Sequence, residues 1–217
     1  MMTRLLLLIL TVISIQGISQ SSVTPKFWTG GGLEYRVSKW VKLDVGYQYR
    51  TELNKDYDSY TFSDFGTTFR ITKKFSLKPN FRIAHSSKIN NDKNRASLDF
   101  IYKFGKKKSD WSFGVRARGQ YQFHVNQVKK DIVIRQKAFV GYKLNKKISF
   151  KTSAELFEEI FRFSDLRIKV GANYKLNKRI GVKLFYAYES ELLRKNIDKT
   201  HILGLMLNVK LKRKKND

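Results

Sequence analysis

Eleven times along this chain apolar and polar side chains alternate with a period of two, mostly over ten to thirteen residues. Val41, Leu43, Val45, Tyr47 and Tyr49 face one way, while Lys42, Asp44, Gly46, Gln48 and Arg50 face the other; Leu166 to Leu176 repeats the pattern. Successive side chains of an extended strand point to opposite faces, so the spacing predicts strands with one apolar and one polar side, and no helical period competes with it. The segments are 27–37, 40–51, 60–71, 75–86, 95–104, 111–124, 132–144, 148–157, 166–176, 180–189 and 201–211. A tilted strand crosses a bilayer in roughly 9 to 11 residues. More than half of a chain in strands is anomalous for a soluble globular domain and normal for a membrane barrel. The expected fold is all-β: a single antiparallel transmembrane β-barrel of about 10–12 strands.

The connectors repeat as well. An aromatic, a basic residue, an apolar residue, a polar turn and an apolar restart recur as Tyr35-Arg36-Val37-Ser38-Lys39-Trp40-Val41, Phe69-Arg70-Ile71-Thr72-Lys73-Lys74-Phe75, Tyr142-Lys143-Leu144-Asn145-Lys146-Lys147-Ile148 and Tyr174-Lys175-Leu176-Asn177-Lys178-Arg179-Ile180. A looser copy runs from Tyr102 through Gly105 to Trp111. The repeat unit is a β-hairpin. Connectors after odd-numbered segments are short and basic, and those after even-numbered segments are mostly longer and mixed in charge. Bacterial barrels keep short turns in the periplasm and long loops outside, which orients the chain.

Lys and Arg number 44 against 18 Asp and Glu, a formal net charge of +26 that by itself suggests a nucleic-acid partner. The placement of the charge excludes that reading. Nineteen basic residues and six acids fall on the polar faces, the short connectors are strongly basic, the longer loops are nearly neutral, and the apolar faces carry no charge. A basic side chain facing lipid at mid-bilayer costs ~2–4 kcal/mol, whereas one in a wet lumen costs little. Aromatics sit near both ends of the apolar faces, with Trp40, Tyr102, Trp111, Tyr142 and Tyr174 on the turn side and Tyr49, Tyr121 and Tyr188 on the loop side, as at two membrane interfaces. The polar face, with its glycines, amides and arginines, is not expected to pack as a dry core. A chain 41% hydrophobic is too apolar for a disordered polycation, and the absence of cysteine removes disulfides and thiolate metal sites.

Arg4 precedes an apolar run from Leu5 to Ile15 and then the small residues Gly17 and Ser19. That order matches a secretory signal peptide; roughly 20 apolar residues would be needed for a membrane anchor. Residues 1–19 are expected to be removed, leaving 20–217 as one outer-membrane barrel domain with a short basic tail from Lys212.

The hairpin repeats, the Arg135-Gln136-Lys137 strand and the closing run Thr200-His201-Ile202-Leu203-Gly204-Leu205 resemble the outer-membrane β-barrels grouped as domain-of-unknown-function family 2490. The resemblance covers nearly all of residues 26–212 and implies the barrel and the signal peptide, with no activity attached. Two features depart from barrel habits. The last strand ends at Leu211 rather than at the aromatic residue that the outer-membrane assembly machinery reads. Eleven strands is an odd number, so either the glycine-rich stretch 28–34 stays out of the wall, or a strand is split or missed, leaving ten or twelve.

The candidate site is the lumen. Arg116 and Arg118, Arg135 and Lys137, and Arg167 and Lys169 form a basic ladder on three strands, with Asp44, Asp64, Asp99, Glu155 and Glu189 as lumen acids. The first reading is a structural or ligand-binding outer-membrane barrel, with a narrow pore for small anionic solutes if the acids do not plug it. The alternative is an outer-membrane hydrolase or acyltransferase at the extracellular rim, using His85, His124 or His201 with Ser86, Ser87, Asp131, Glu158 and Glu159. No GxSxG or HExxH motif and no paired catalytic-carboxylate spacing supports it, and no cofactor or metal is expected. The expected partners are outer-membrane lipid, the assembly machinery and small anions, and no nucleic acid.

Overall fold

The computed structural model describes residues 23–53, 58–87, 92–105, 109–125, 130–159, 162–192 and 199–211. The expected signal peptide, the basic tail and the lysines of the 105–111 connector lie outside the described residues. Eleven strands form one closed barrel: β1 (Val23–Arg36), β2 (Val41–Glu52), β3 (Ser59–Arg70), β4 (Phe75–Ser86), β5 (Lys93–Phe104), β6 (Trp111–His124), β7 (Lys130–Lys143), β8 (Ile148–Glu159), β9 (Arg162–Lys175), β10 (Ile180–Glu191) and β11 (Lys199–Leu211). They coincide with the alternating segments, although at the loop-side ends most run one to four residues further. There the backbone ladder continues through polar pairs such as Lys26 opposite Glu52, which hydrophobic periodicity does not mark.

The barrel is not wholly antiparallel, which corrects the expected architecture. Ten pairs are antiparallel hairpins, but β1 and β11 pair in parallel from Val23↔Lys199 to Tyr35↔Leu211. With an odd number of strands joined by alternating turns, the first and last run the same way, so the closing seam must be parallel. Nor does the 28–34 stretch stay out of the wall: Gly30 pairs with Gln48 on one edge and Met206 on the other. Among the described residues the count is eleven, neither ten nor twelve.

One physical device explains the connector repeat. Its polar residue accepts two backbone N–H groups, two and three residues ahead, and so satisfies donors that a tight turn leaves unpaired. Ser38 Oγ accepts from Trp40 and Val41 at 3.0 Å each, Asn145 Oδ1 from Lys147 and Ile148 at 2.8 and 2.7 Å, and Asn177 Oδ1 from Arg179 and Ile180 at 2.7 and 2.8 Å. Thr72 Oγ1 does the same for Lys74 and Phe75. In the looser copy Ser109 Oγ accepts from Trp111 at 3.1 Å, and Gly105 takes a φ of 109°, in the left-handed region that favours glycine.

Phase then decides what faces where. Leu33, Tyr47, Phe65, Ile83, Leu184 and Leu207 are exposed on the outer surface, while the partners one residue along, such as Asp64, Arg82 and Lys183, point inward. A soluble barrel would reverse this arrangement.

Candidate functional site

All six ladder residues face the lumen. Glu155 on β8, with a side chain 3% exposed, gathers three of them: Arg116, Arg135 at 2.7 Å and Lys137 at 3.5 Å. Asp99 on β5, 2% exposed, takes Arg118 at 2.8 Å through Nη2 and Arg116 at 3.8 Å. Glu189 pairs with Arg167. The other two predicted acids hold cations outside the ladder: Asp64 receives Arg82 through both Nε (2.7 Å) and Nη2 (2.6 Å), and Asp44 lies 3.8 Å from Lys42 and also pairs with Lys78. Lys169 departs from the rest of the ladder; its Nζ lies 3.3 Å from the centroid of Phe185 rather than against a carboxylate.

The lumen also holds aromatic rings that the sequence reading did not single out. They form an arc in which cations and rings alternate. Arg135 stands 4.3 Å and Arg167 4.6 Å from the ring of Phe157. Arg167 is 5.4 Å and Arg50 3.7 Å from Trp28, Arg50 is 4.7 Å from Phe62, and Arg82 is 3.3 Å from the same ring. Each such contact is worth from ~0.5 to ~2 kcal/mol, more where water is excluded. Three of the four arginines are locked at their far ends by Glu155, Glu189 and Asp64, while Arg50 donates to the Gln48 amide oxygen at 3.0 and 3.2 Å.

Beneath the arc Trp28, Phe185, Ala187 and Ile202 form a small dry cluster, with Met206 against it. This corrects the expectation that the polar face cannot pack as a dry core. Its physical basis is glycine at the position directly across the ladder. Phe185 lies flat over Gly204, and Phe139 over Gly114, where any Cβ would collide with the ring. The signal for these rings was present in the phase: Phe62 shares a face with Asp64, Phe157 with Glu155 and Phe185 with Lys183.

The arc divides the lumen. On the loop side a cavity of about 300 Å³ is lined by Lys26, Arg50 and Arg167 together with Glu52, Asp58 and Glu189. On the turn side lie cavities of about 410 and 540 Å³ that share Lys42, Lys78 and Arg118 and have no lining residue in common with the first. The larger is lined by Lys42, Lys78, Lys103, Arg116, Arg118, Lys137, Lys143 and Lys151 against one acid, Asp99.

The rim residues of the catalytic alternative are not brought together. His85 is 76% exposed and bonded to Asp92 at 2.9 Å, His124 faces inward 3.8 Å from Asp131, and His201 meets the hydroxyl of Tyr186 at 2.6 Å on the outer surface. The Ser86 amide, donating to the Asp92 carboxylate at 2.8 Å, together with the His85 ring holds that carboxyl below its usual range.

Nothing among curated proteins matches the chain. Among solved structures the KdgM porin is similar in fold, with a TM-score of 0.51 at 15% identity over 73% of this chain and 81% of that one. The translocator domain of the autotransporter NalP from Neisseria meningitidis aligns at a TM-score of 0.41 and 11% identity, over 76% of this chain and 72% of that one. The model of the family described as protein of unknown function (DUF2490) matches residues 25–200, and the chain, a closed porin-like barrel with a basic lumen, belongs to that family.

Proposed function

We propose that the protein is an outer-membrane barrel, exported with loss of residues 1–19, that accepts small anionic solutes into its lumen from the turn side. The observation that carries this reading is the 540 Å³ cavity lined by eight cations and one carboxylate, in which Lys103, Lys143 and Lys151 add positive charge beyond the cations held by Asp44, Asp99 and Glu155. Positive charge focused inside a low-dielectric wall raises the local concentration of anions and repels cations. The apolar exterior supports the membrane setting, since its exposed leucines, valines and aromatics gain from lipid contact and lose in water. The fold shared with the KdgM porin is in keeping with it. The cation–aromatic arc makes the passage narrow, so large solutes are excluded.

Planar-bilayer recording of the refolded barrel across a potassium chloride gradient tests this. The expected result is a small conductance whose reversal potential has the sign of chloride selectivity; a cation-selective barrel overturns the reading. Membrane fractionation with unheated and heated gels tests the location, the expected outcome being an outer-membrane band whose mobility changes on heating and whose N-terminus is Gln20. A periplasmic, heat-insensitive band contradicts it.

A further inference from the structure

We infer that the turn-side chamber contains a site for a compact multivalent phosphate, of the diphosphate or triphosphate kind, built from Lys103, Lys151 and Lys183 with the amide of Asn173. The inference rests on the reading of the lumen as anion-accepting and goes further, naming the ligand chemistry and its place.

The lysines of the turn-side lumen differ among themselves: Lys42 and Lys78 are held by Asp44, Lys42 also by Glu34, and Lys137 by Glu155. Arg82, Arg116, Arg118, Arg135 and Arg167 are matched by the chain's own carboxylates. Among the described residues no carboxylate lies within ion-pair distance of Lys103, Lys151, Lys169 or Lys183. Three of these ammonium groups rest on rings instead: Lys169 and Lys183 at 3.3 and 5.4 Å from Phe185, and Lys151 at 4.3 Å from Phe139. A ring face attracts a cation but leaves most of the three N–H donors of an ammonium unanswered.

Register brings Lys151, Asn173 and Lys183 together, and Lys103 enters the same chamber from β5. Lys183 on β10 stands directly opposite Asn173 on β9, which stands opposite Ser149 on β8, with Lys151 the next inward position along that strand. Adjacent strands are about 4.8 Å apart and same-face neighbours about 7 Å, a spacing that one diphosphate can bridge. Lys103, Lys151 and Asn173 line the 540 Å³ cavity and Lys183 the adjoining one.

The donor set selects the ligand. A planar carboxylate is best met by an arginine fork, and the two arginines that line this chamber, Arg116 and Arg118, are already held by Asp99 and Glu155. What remains free is a group of point-like ammonium ions with an amide, which suits tetrahedral oxyanions bearing several charges. A monovalent ion would leave most of the mutual repulsion among these lysines in place, whereas a multivalent anion relieves it.

Calorimetric titration of the refolded barrel in neutral detergent with sodium pyrophosphate, tripolyphosphate and citrate tests the site. Saturable one-to-one binding of the two phosphates with weaker citrate binding is expected. The K151Q/K183Q variant should lose about tenfold or more in pyrophosphate affinity, while K73Q/K74Q on an exposed turn should change it little. Heat-modified migration on a gel verifies that each variant is folded, and single K151Q or K183Q replaces the double variant if that fails to fold. Citrate binding as tightly as pyrophosphate, or unchanged binding by the folded lysine variants, overturns the site. A short-chain phosphatidic acid run in parallel separates a lipid headgroup from a free phosphate; displacement of pyrophosphate by the lipid overturns the free-solute assignment. The outcome is separable from that of the bilayer recording. Anion-selective current without pyrophosphate binding rejects the site alone, and pyrophosphate binding without current rejects the pore alone.

Discussion

The two halves of the lumen are built by the same alternation on the same strands, yet they differ in charge. The loop-side cup is lined by three cations and three carboxylates, while the larger turn-side chamber has eight cations and one carboxylate. Both are framed by paired arginines. The difference comes from lysines near the turn ends of the strands, Lys103 and Lys151 among them, which have glycines rather than acids across the ladder. The lining is thus basic at one end and nearly neutral at the other, with the arc between them, and the proposed intake of anions rests on this gradient.

The comparison breaks first if the frame fails. Glu155→Gln leaves Arg116, Arg135 and Lys137 without their shared carboxylate, and removing one partner of a buried ion cluster destabilises by about 3–5 kcal/mol. Urea titration followed by loss of heat-modifiable migration should show a clearly lower midpoint, and an unchanged midpoint would mean that water already screens the cluster. Next in size is the partition itself. Arg50→Ala removes the link between Trp28 and Phe62, with a loss of about 1–2 kcal/mol and a wider passage between the halves. Single-channel conductance should rise; if it stays the same, the arc is not the constriction.

A third experiment separates the halves by charge. K103E/K151E in the turn-side chamber should move the reversal potential toward cation selectivity, whereas Lys26→Gln in the neutral cup, where Lys26 pairs with Glu52, should scarcely move it. Equal shifts from both would dissolve the distinction. The smallest effect is expected at the turns that frame the basic mouth. Asn145→Ala removes an acceptor of two exposed backbone N–H groups and should lower stability by about 0.5–1.5 kcal/mol in the same urea titration, with selectivity unchanged.

Much of this was readable from particular residues. The phase of Val41 to Arg50 predicted the inside and the outside of β2, and the repeated Ser38, Thr72, Asn145 and Asn177 marked the four turns they cap. Phase alone puts the ladder arginines and the lumen acids on one face of the wall, because a period of two leaves no third direction. Which acid meets which cation was not readable. Glu155 is claimed from β6 and β7 at once, and that follows from side-chain reach across a curved wall rather than from spacing. Phe62, Phe157 and Phe185 carry no signal of their own in the alternation, because an apolar residue on a polar face gains its meaning only from the glycine or guanidinium opposite it.

Sequence by itself determined that this chain is a strand-built barrel with a charged interior and an apolar exterior, since strict alternation along one strand is a local property. The parallel seam, the arc from Arg135 to Arg82 and the separation of a neutral cup from a basic chamber were decided only by the tertiary structure. Closure sets which strands meet, and closure brings side chains from β7, β9, β1 and β4 into one layer of the lumen.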